Sequence, residues 1–390
     1  MTVPELSDLI RRAAQALAER PEPEAFAALT RSTAILGRAM GSAWSADWSD
    51  RSPVAPLPAA VPADHVIPMT MYGICEPHPG PRWRSLFNAT WSGYRSWYVS
   101  DGTAARPDLD TCQAMLTRHM PELVPTWERM VELTGGHELA ARMLTLWNPP
   151  RFLPGCSQAV LPGPTPVLVR NYDYGVDLFE RVVYSSRFTG RRVLGTGDCL
   201  WGLLDGMNDA GLAISLAFGG RRGYGPGFGI PLVVRYLLEV ASSIADVRRV
   251  LERLPVGMAY NLTMVDAAAE TLTAFVAPGI APEFTRARVA TNHRGAKPED
   301  PAHARRFRSV ERQQALIRLL ATQPEPDNLA AAFLRAPLHS TAFSRAFGTL
   351  YTAVYRPTDG VVDYLWPETS WRRTFSSPEE TKAVMLREPR

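Results

Sequence analysis

The amino-acid sequence predicts an α+β fold in which helices pack against mainly antiparallel sheets. From residue 156 onward the predicted elements come in blocks, with strands first, then helices, and then strands again. This order fits layered antiparallel sheets better than the alternating strands and helices that build parallel sheets. The composition agrees, because 390 residues with 46% hydrophobic and 21% charged side chains can bury a sizeable core.

The N-terminal part of the chain is predicted to be a helical extension followed by a linker. Between Pro4 and about Met40, apolar residues recur at the spacing of amphipathic helices. Proline and alanine dominate the next stretch, Arg51–Val66, which is typical of a linker. We therefore separate residues 1–66, the extension and linker, from a main body that begins at residue 67.

The main body is predicted to contain short strands and longer helices. The predicted strands are Cys156–Leu161, Val167–Tyr174, Arg181–Phe188, Leu212–Phe218, Tyr260–Val265, Thr271–Val276, Thr285–Thr291, Thr349–Tyr355 and Val361–Leu365. The predicted helices are Met120–Trp147 with a break at its two glycines, Leu232–Leu254, Ala302–Ala321 and Asp327–Leu334.

Charge and cysteine content exclude several classes of function. The net charge of +3, from 42 basic and 39 acidic residues, gives no reason to expect nucleic acid or a membrane surface as a partner. No apolar run reaches the roughly 18 residues of a membrane span, and the first residues lack the pattern of a signal peptide. The four cysteines have no zinc-ligand spacing and are too sparse for a disulfide scaffold. We expect a cytoplasmic protein without metal or cofactor.

One cysteine, Cys156, stands at the start of a predicted β-hairpin. The turn Pro162–Pro166 places the centre of the hairpin near Pro164, so Cys156 should lie opposite Tyr172 and beside Asp173. Arg170 lies on the same strand, but Arg170 and Asp173 have opposite parity and should face opposite sides. Both could reach the thiol only if the strand bulges or twists.

The surroundings of Cys156 suggest an activated thiol. A neighbouring arginine favours the thiolate, which is the reactive form, although no histidine lies nearby in sequence to act as a base. Cleavage between Gly155 and Cys156 would create an α-amino group, with an unperturbed pKa of roughly 7.7–8.0, that could take the thiol proton. Gly155 would tolerate the strained backbone that such a cut requires. The simpler interpretation is a buried core cysteine, which is the more common role of this residue type.

Several short motifs, taken together, resemble a known family. GCSQAV (Gly155–Val160), followed after one hairpin by RNYD (Arg170–Asp173), resembles the N-terminal-nucleophile (Ntn) hydrolases of the acyl-CoA:6-aminopenicillanic acid acyltransferase and choloylglycine hydrolase superfamily. Further motifs that are similar to this family in order and spacing are DGMNDAGLAIS (Asp205–Ser215), ATNHR (Ala290–Arg294), HARRFRSVERQQAL (His303–Leu316) and TLYTAVYRPTDGVVDYLWP (Thr349–Pro367).

The resemblance implies a fold and a mode of processing. The fold is an αββα four-layer sandwich with two mainly antiparallel sheets. The chain would cut itself before Cys156, so that residues 67–155 become a pro-segment or small subunit and residues 156–390 a catalytic large subunit. The N-terminal fragment would then be a partner of the catalytic one, and the sequence leaves open whether the assembled chain forms a homo-oligomer.

The resemblance also implies roles for individual residues. Cys156 would attack the carbonyl of a small acyl amide or acyl thioester, with its own α-amine as the base. Arg170 would tune the thiol and Asp173 would orient the amine. The side-chain N–H of Asn292 and a backbone N–H would stabilise the oxyanion. Arg306 would support the site or bind substrate. Water or an amine would accept the acyl group, so hydrolase and acyltransferase remain open.

Two departures from the family pattern keep other functions open. The bile-salt branch has an oxyanion asparagine where this chain reads SLAFGG (Ser215–Gly220), and Arg305 replaces the serine often found near the motif arginine. One alternative is therefore an inactive Ntn-fold binding or scaffold protein. A second is an uncleaved thiol enzyme that uses His293 as its base. The glycine-rich stretch Gly219–Gly229 could line the pocket or be a plain surface loop.

Overall fold

The structure, a computed structural model, describes residues 65–151, 155–221, 223–295, 297–345 and 347–388. The predicted helical extension, residues 1–66, therefore lies almost wholly outside the described residues. The predicted α+β class is confirmed, because the described chain contains two large sheets with helices against them. None of the helices within these ranges has the length and apolar character needed to cross a membrane.

The helices fall into an N-terminal group and a group within the main body. The N-terminal group is α1 (Pro81–Tyr98), α2 (Leu109–His119), α3 (Val124–Leu133) and α4 (Glu138–Leu144). The second group is α5 (Ile230–Val240), α6 (Ile244–Leu251), α7 (Pro301–Arg306), α8 (Ser309–Ala321) and α9 (Pro326–Phe333).

A nine-stranded sheet forms one of the two central layers. Its strands are β1 (His65–Cys75), β4 (Val182–Ser186), β5 (Val193–Asp198), β6 (Gly202–Asn208), β7 (Ala213–Phe218), β8 (Tyr260–Val265), β9 (Thr271–Val276), β10 (Glu283–Thr285) and β16 (Thr381–Glu388). They lie in the order β10-β9-β8-β7-β6-β5-β4-β1-β16. All neighbours are antiparallel except β1 and β4, which run parallel.

A seven-stranded antiparallel sheet forms the other central layer and carries the cysteine. Its strands are β2 (Gly155–Leu161), β3 (Val167–Tyr174), β11 (Val289–Ala290), β12 (Thr341–Ala342), β13 (Phe347–Arg356), β14 (Val361–Trp366) and β15 (Thr369–Thr374). The main path is β11-β2-β3-β13-β14-β15, and β12 pairs with β13. In this sheet β2 and β3 form the predicted hairpin.

The two sheets face each other, and helices cover their outer faces. Strands β2 and β3 of one sheet pack against β7 and β8 of the other. Helix α5 packs on β5, β6 and β7, whereas α8 and α9 pack on the seven-stranded sheet. This gives the αββα four-layer sandwich that the resemblance implied.

The alternation of residues in β3 shows how one strand serves two layers. Leu168 and Tyr172 belong to the large core that lies between the sheets. Val167 and Val169 point the other way and join Leu316 of α8 in a second core. Both faces of β3 are buried, so the polar side chains of its second half, Arg170, Asn171 and Asp173, lie in the interior.

The element predictions differ from the structure in two helices that are interrupted and in several elements that were not predicted. The helix predicted over Leu232–Leu254 is two helices, α5 and α6. The helix predicted over Ala302–Ala321 is interrupted at Arg308, which has a φ of +50° and ends α7 before α8 begins. The elements that lie outside all the strands and helices predicted above are β1, β5, β6, β12, β15, β16, α1 and α2, and β1 begins at the end of the predicted linker.

The position of β1 predicts that a cut before Cys156 leaves the two fragments associated. β1 would belong to the N-terminal fragment, yet it forms hydrogen-bonded ladders with β4 on one side and β16 on the other. Size-exclusion chromatography of the cut protein should therefore give one peak that contains both fragments, at the elution volume of the uncut Cys156→Ala variant. Fragments should separate only in denaturant, and separate elution in plain buffer would contradict the prediction.

Candidate active site

The hairpin formed by β2 and β3 has the predicted register. Cys156 lies opposite Tyr172, and Gly155 lies opposite Asp173. Directly opposed residues share a face of an antiparallel pair, so the side chains of Cys156 and Tyr172 both point into the space between the two sheets. The Cys156 side chain is completely buried there.

The thiol of Cys156 is held by the buried guanidinium of Arg170. Arg170 Nη2 lies 2.8 Å from Cys156 Sγ. The same guanidinium bonds through Nη1 to the backbone carbonyl of Leu204 at 2.9 Å and to Asp205 Oδ2 at 2.5 Å. The structure therefore brings Arg170 to the cysteine, as the sequence predicted, and adds Asp205 as its acidic partner.

The electrostatic effect of Arg170 on the thiol is smaller than the sequence suggested. Burial raises the pKa of Cys156 to about 11, and the Asp173 carboxylate acts in the same direction. The charges of Arg170 and Arg312 oppose this rise without cancelling it. In the uncut chain the thiol is therefore mostly protonated at neutral pH, so an arginine alone does not make it a thiolate.

Asp205 is the centre of a buried hydrogen-bond network that the sequence did not reveal. Besides Arg170, its carboxylate accepts hydrogen bonds from Thr196 Oγ1 at 2.8 Å, from the hydroxyl of Tyr351 at 2.5 Å and from the hydroxyl of Tyr355. Arg170 and Asp205 are both fully buried. The network fixes Asp205, and Asp205 fixes the guanidinium against the thiol.

Asn292 holds the backbone nitrogen of the cysteine. The N–H of Cys156 donates to Asn292 Oδ1 at 3.1 Å, and Arg312 Nη2 donates to the same oxygen at 2.7 Å. Two donors on this atom settle which end of the amide is oxygen. Asn292 Nδ2 donates to the Phe218 carbonyl at 3.1 Å. The structure thus brings Asn292 to Cys156, but through its oxygen rather than through the N–H that the sequence analysis assigned to it.

Arg312 occupies the place that the sequence analysis gave to Arg306. Arg306 is exposed, with its guanidinium over the ring of Phe307, and the structure does not bring it to the cysteine. Arg312, six residues later in α8, is buried and donates through Nη1 to the Cys156 carbonyl and to Ser157 Oγ, both at 2.6 Å. The break at Arg308 separates the two arginines into different helices.

Asp173 lies on the opposite face of β3 from Arg170. The pairing of β2 with β3 is regular, and the register shift lies instead in β13, between Thr349 and Tyr351. Asp173 Oδ1 accepts a hydrogen bond from Thr349 Oγ1 at 2.7 Å, and Oδ2 lies 3.6 Å from Arg312 Nη1. The parity of the strand therefore holds: Arg170 meets the thiol, and Asp173 lies beside the Gly155 end of the strand.

Gly155 is required by a neighbouring ring. A Cβ atom at this position would lie 2.1 Å from Phe347 Cε2. Phe347 in turn packs against Phe307, with ring centroids 4.6 Å apart. Gly155 does not have a positive φ, so the close approach of Phe347, and not an unusual backbone, explains the glycine.

His293 does not contact the cysteine. Its Nδ1 lies 2.5 Å from Ser309 Oγ, and its Nε2 lies 3.0 Å from Gln313 Oε1. Burial lowers the pKa of His293. With both ring nitrogens engaged elsewhere, the geometry gives no support to an uncleaved thiol enzyme that uses His293 as its base.

A small cavity lies between the glycine-rich loop and the segment that precedes Cys156. The hydroxyl of Tyr224 donates to the Pro149 carbonyl at 2.7 Å, and the N–H of Asn148 donates to the Gly227 carbonyl at 2.9 Å. The cavity, of about 20 Å³, has Tyr224 and Pro149 among its lining residues, and Tyr260 and Cys199 on its inner side. This is space for about one water molecule.

Comparison with known proteins gives one family. The model of a family described as AAT: Acyl-coenzyme A:6-aminopenicillanic acid acyl-transferase matches residues 160–371, which is more than half of the chain. No curated protein matches the chain.

Solved structures similar to this chain are distant. A mutant conjugated bile acid hydrolase from Clostridium perfringens has 12% identity and a TM-score of 0.38, over 58% of this chain and 96% of that one. Penicillin V acylase from Agrobacterium tumefaciens has 15% identity and a TM-score of 0.37, over 56% and 86%. A Caenorhabditis elegans ortholog of N-acylethanolamine-hydrolyzing acid amidase has 14% identity and a TM-score of 0.36, over 52% and 93%.

The burial of Arg170 predicts a large loss of stability when its charge is removed. The Arg170→Met variant leaves Asp205 charged and buried without its partner, which should lower the free energy of unfolding by about 3–5 kcal/mol. The matched Arg84→Met variant changes an exposed arginine of α1 and should alter the free energy of unfolding by no more than about 0.5 kcal/mol. Urea unfolding followed by tryptophan fluorescence measures both, and equal effects of the two changes would contradict the interpretation.

Proposed function

We propose a self-processing N-terminal cysteine nucleophile for this chain, which belongs to the acyl-coenzyme A:6-aminopenicillanic acid acyl-transferase family. In this proposal the chain cuts itself between Gly155 and Cys156. Cys156 then cleaves a linear amide C–N bond, or an acyl thioester, through an acyl-enzyme intermediate.

One observation carries the proposal: the two reactive atoms of the new N-terminus already have separate partners. Cys156 Sγ contacts Arg170, while the Cys156 nitrogen is bonded to Asn292 Oδ1. A structural cysteine needs neither contact. Once the Gly155–Cys156 bond is cut, the nitrogen becomes an amine that sits on the same residue as the thiol and can take its proton.

The same contacts support the proposed self-cleavage. Cys156 Sγ attacks the Gly155 carbonyl carbon, the C–N bond breaks, and the Cys156 nitrogen takes up the thiol proton to become an amine. The resulting thioester between Gly155 and Cys156 Sγ is then hydrolysed by water, which leaves a carboxylate on Gly155 and restores the thiol. Arg312, on the Cys156 carbonyl, holds one side of the bond in place.

Asp173 supplies what the new amine needs. Before the cut, the amide has a single hydrogen, which is given to Asn292. An ammonium group has three hydrogens to donate. Asp173 lies opposite Gly155, and its buried Oδ2 atom accepts no hydrogen bond in the uncut chain. We assign to Asp173 the orientation of the amine, with Asn292 Oδ1 as the second acceptor. The oxyanion role of the Asn292 N–H stays a prediction.

Turnover then uses the amine as base and acid. The amine takes the proton of Cys156 Sγ as the sulfur attacks the substrate carbonyl, and it returns the proton to the leaving amine. Water, or an acceptor amine, attacks the acyl-cysteine and frees the enzyme. Hydrolysis and acyl transfer differ only in this acceptor, so the same residues serve both.

The mass of the purified protein tests the proposal. Intact-mass spectrometry should show two fragments, the larger beginning at Cys156, and the Cys156→Ala variant should show one uncut chain. Cys75→Ala is the matched control, because Cys75 lies in β1 of the other sheet and its thiol hydrogen-bonds to the Ser377 carbonyl and to Arg373. It should be cut like the original chain. An uncut original chain would sink the proposal and favour an inactive scaffold protein.

The contact between Gly155 and Phe347 predicts a steric rescue. Gly155→Ala places a methyl group against the Phe347 ring and should displace the scissile bond, so self-cleavage should slow by at least about tenfold. Phe347→Ala in addition removes the ring and should restore much of the rate. If the double variant is cut as slowly as Gly155→Ala alone, the loss of rate comes from reduced backbone freedom at Gly155 and not from the clash with Phe347.

A further inference from the structure

We propose that Glu180 and Asp198 form a subsite for a positively charged organic group of the substrate, an ammonium on an acyl amide or thioester. This inference rests on the proposed function and adds a substrate class to it. The two carboxyls lie on the nine-stranded sheet's side of the cysteine, outside the catalytic contacts described above. Their task in the protein is otherwise unexplained.

The two carboxyls are buried and converge on one hydroxyl. Their residues are only 7% and 3% exposed. The hydroxyl of Tyr94 lies 2.6 Å from Glu180 Oε1 and 3.0 Å from Asp198 Oδ1. Backbone N–H groups of Leu200 and Cys199 donate to the same two oxygens, at 2.6 and 2.7 Å. One oxygen of each carboxyl is thus fully used.

The other oxygen of each carboxyl has no partner. Glu180 Oε2 and Asp198 Oδ2 are buried and form no hydrogen bond, and neither carboxyl forms an ion pair within the described ranges. The hydroxyl of Tyr172 is likewise buried without a hydrogen bond. Buried polar atoms without partners are costly, so a ligand that supplied partners to these three atoms would be stabilising.

The missing partner should be positive. Burial raises the pKa of both carboxyls, and the charge of Asp198 raises that of Glu180 further. No described cation opposes this rise, because no arginine, lysine or histidine among the described residues forms an ion pair with either carboxyl. A buried charge without a counter-charge is strongly destabilising. A cationic ligand would supply the counter-charge.

The region connects to the nucleophile. Asp198 is followed by Cys199, which lines the small cavity together with Trp97 and Tyr260. The Asp198 carboxylate contributes to the raised pKa of Tyr172, whose ring lies directly across the hairpin from Cys156. A substrate bound to Cys156 could therefore place a group several bonds away from its carbonyl near these carboxyls.

An ammonium group fits this region better than a metal ion. No cluster of three or more His, Cys, Asp or Glu side chains able to hold a metal occurs among the described residues. An ammonium group is instead bound by two or three hydrogen-bond acceptors and by the faces of aromatic rings. The free carboxyl oxygens supply the acceptors, and Trp97 and Tyr260, which line the neighbouring cavity, supply the faces.

Tyr94 makes the N-terminal fragment part of this subsite. It lies on α1, before the proposed cut, and its hydroxyl contacts Glu180 Oε1 and Asp198 Oδ1. Trp97, one helical turn later, lies edge-on to Tyr94 with ring centroids 6.1 Å apart and lines the cavity. Recognition of the cation would thus need both fragments.

Matched substrates test the subsite on the unaltered, cut protein. One pair is an acylated diaminobutane and the same acyl group on butylamine; the other is aminohexanoyl anilide and hexanoyl anilide. In the pair whose ammonium group reaches the subsite, the kcat/KM of the cationic substrate should exceed that of the neutral one by about tenfold or more. This difference should come from a lower KM. No preference in either pair would overturn the proposal.

Variants connect the preference to the two carboxyls. Glu180→Gln and Asp198→Asn keep shape and remove charge, and each should reduce the preference by about tenfold. The control is Glu252→Gln, an exposed carboxyl at the end of α6, which should keep the full preference. A preference that survives in both single variants and in the double variant would place the cation elsewhere and overturn the proposal.

A binding measurement that needs no catalysis separates the subsite from the proposed function. Butylammonium chloride should raise the thermal unfolding midpoint more than potassium chloride at the same concentration, and this difference should vanish in Glu180→Gln. If the protein is uncut and turns over no substrate, the proposed function fails, yet this measurement still decides the subsite. Equal effects of the two salts would contradict it.

Discussion

The buried guanidinium of Arg170 is the constraint on which the rest of the site depends. A charge in the space between two sheets costs several kcal/mol unless an opposite charge and hydrogen bonds offset the loss of water. Asp205 supplies the opposite charge, and the guanidinium donates further hydrogen bonds to the Leu204 carbonyl and to the Cys156 sulfur. β2, β3 and β6 must therefore meet at one place, with β13 adding the tyrosines that hold Asp205.

A second arginine works from the other side of the same sheet. Arg312 comes from α8, on the outer face, and binds the backbone of Cys156, whereas Arg170 binds its sulfur from the inner face. Because side chains alternate along a strand, Arg170 lies on the inner face of β3 and Asp173 lies on the outer face, near Arg312. The side chain and the main chain of one residue are thus held independently, which lets the scissile bond be oriented without disturbing the sulfur.

The sequence predicted the hairpin well because its information is local. Turn residues and alternation set the register of Cys156 against Tyr172, and this prediction is confirmed. Arg306 shows the limit of prediction from local sequence. The motif resemblance selected Arg306 by its order along the chain, whereas the arginine that reaches the site is the one on the buried face of its helix. Arg312 shares its face with Leu316 and Leu320, a helical spacing that could have identified it. Asp205 and Glu180 had no such signal, because their partners are distant in sequence.

The pairing of β1 with β16 brings residues 65 and 388 into one ladder, and the site itself uses Asn292, Arg312 and Tyr351. During synthesis, Cys156 therefore leaves the ribosome long before any of these partners exists. A cysteine hairpin alone has neither the arginine on its carbonyl nor the tyrosines behind its acid. We therefore expect the Gly155–Cys156 bond to stay intact in a nascent or truncated chain, so the proposed cut would report that the chain has been made and folded at least through Tyr351.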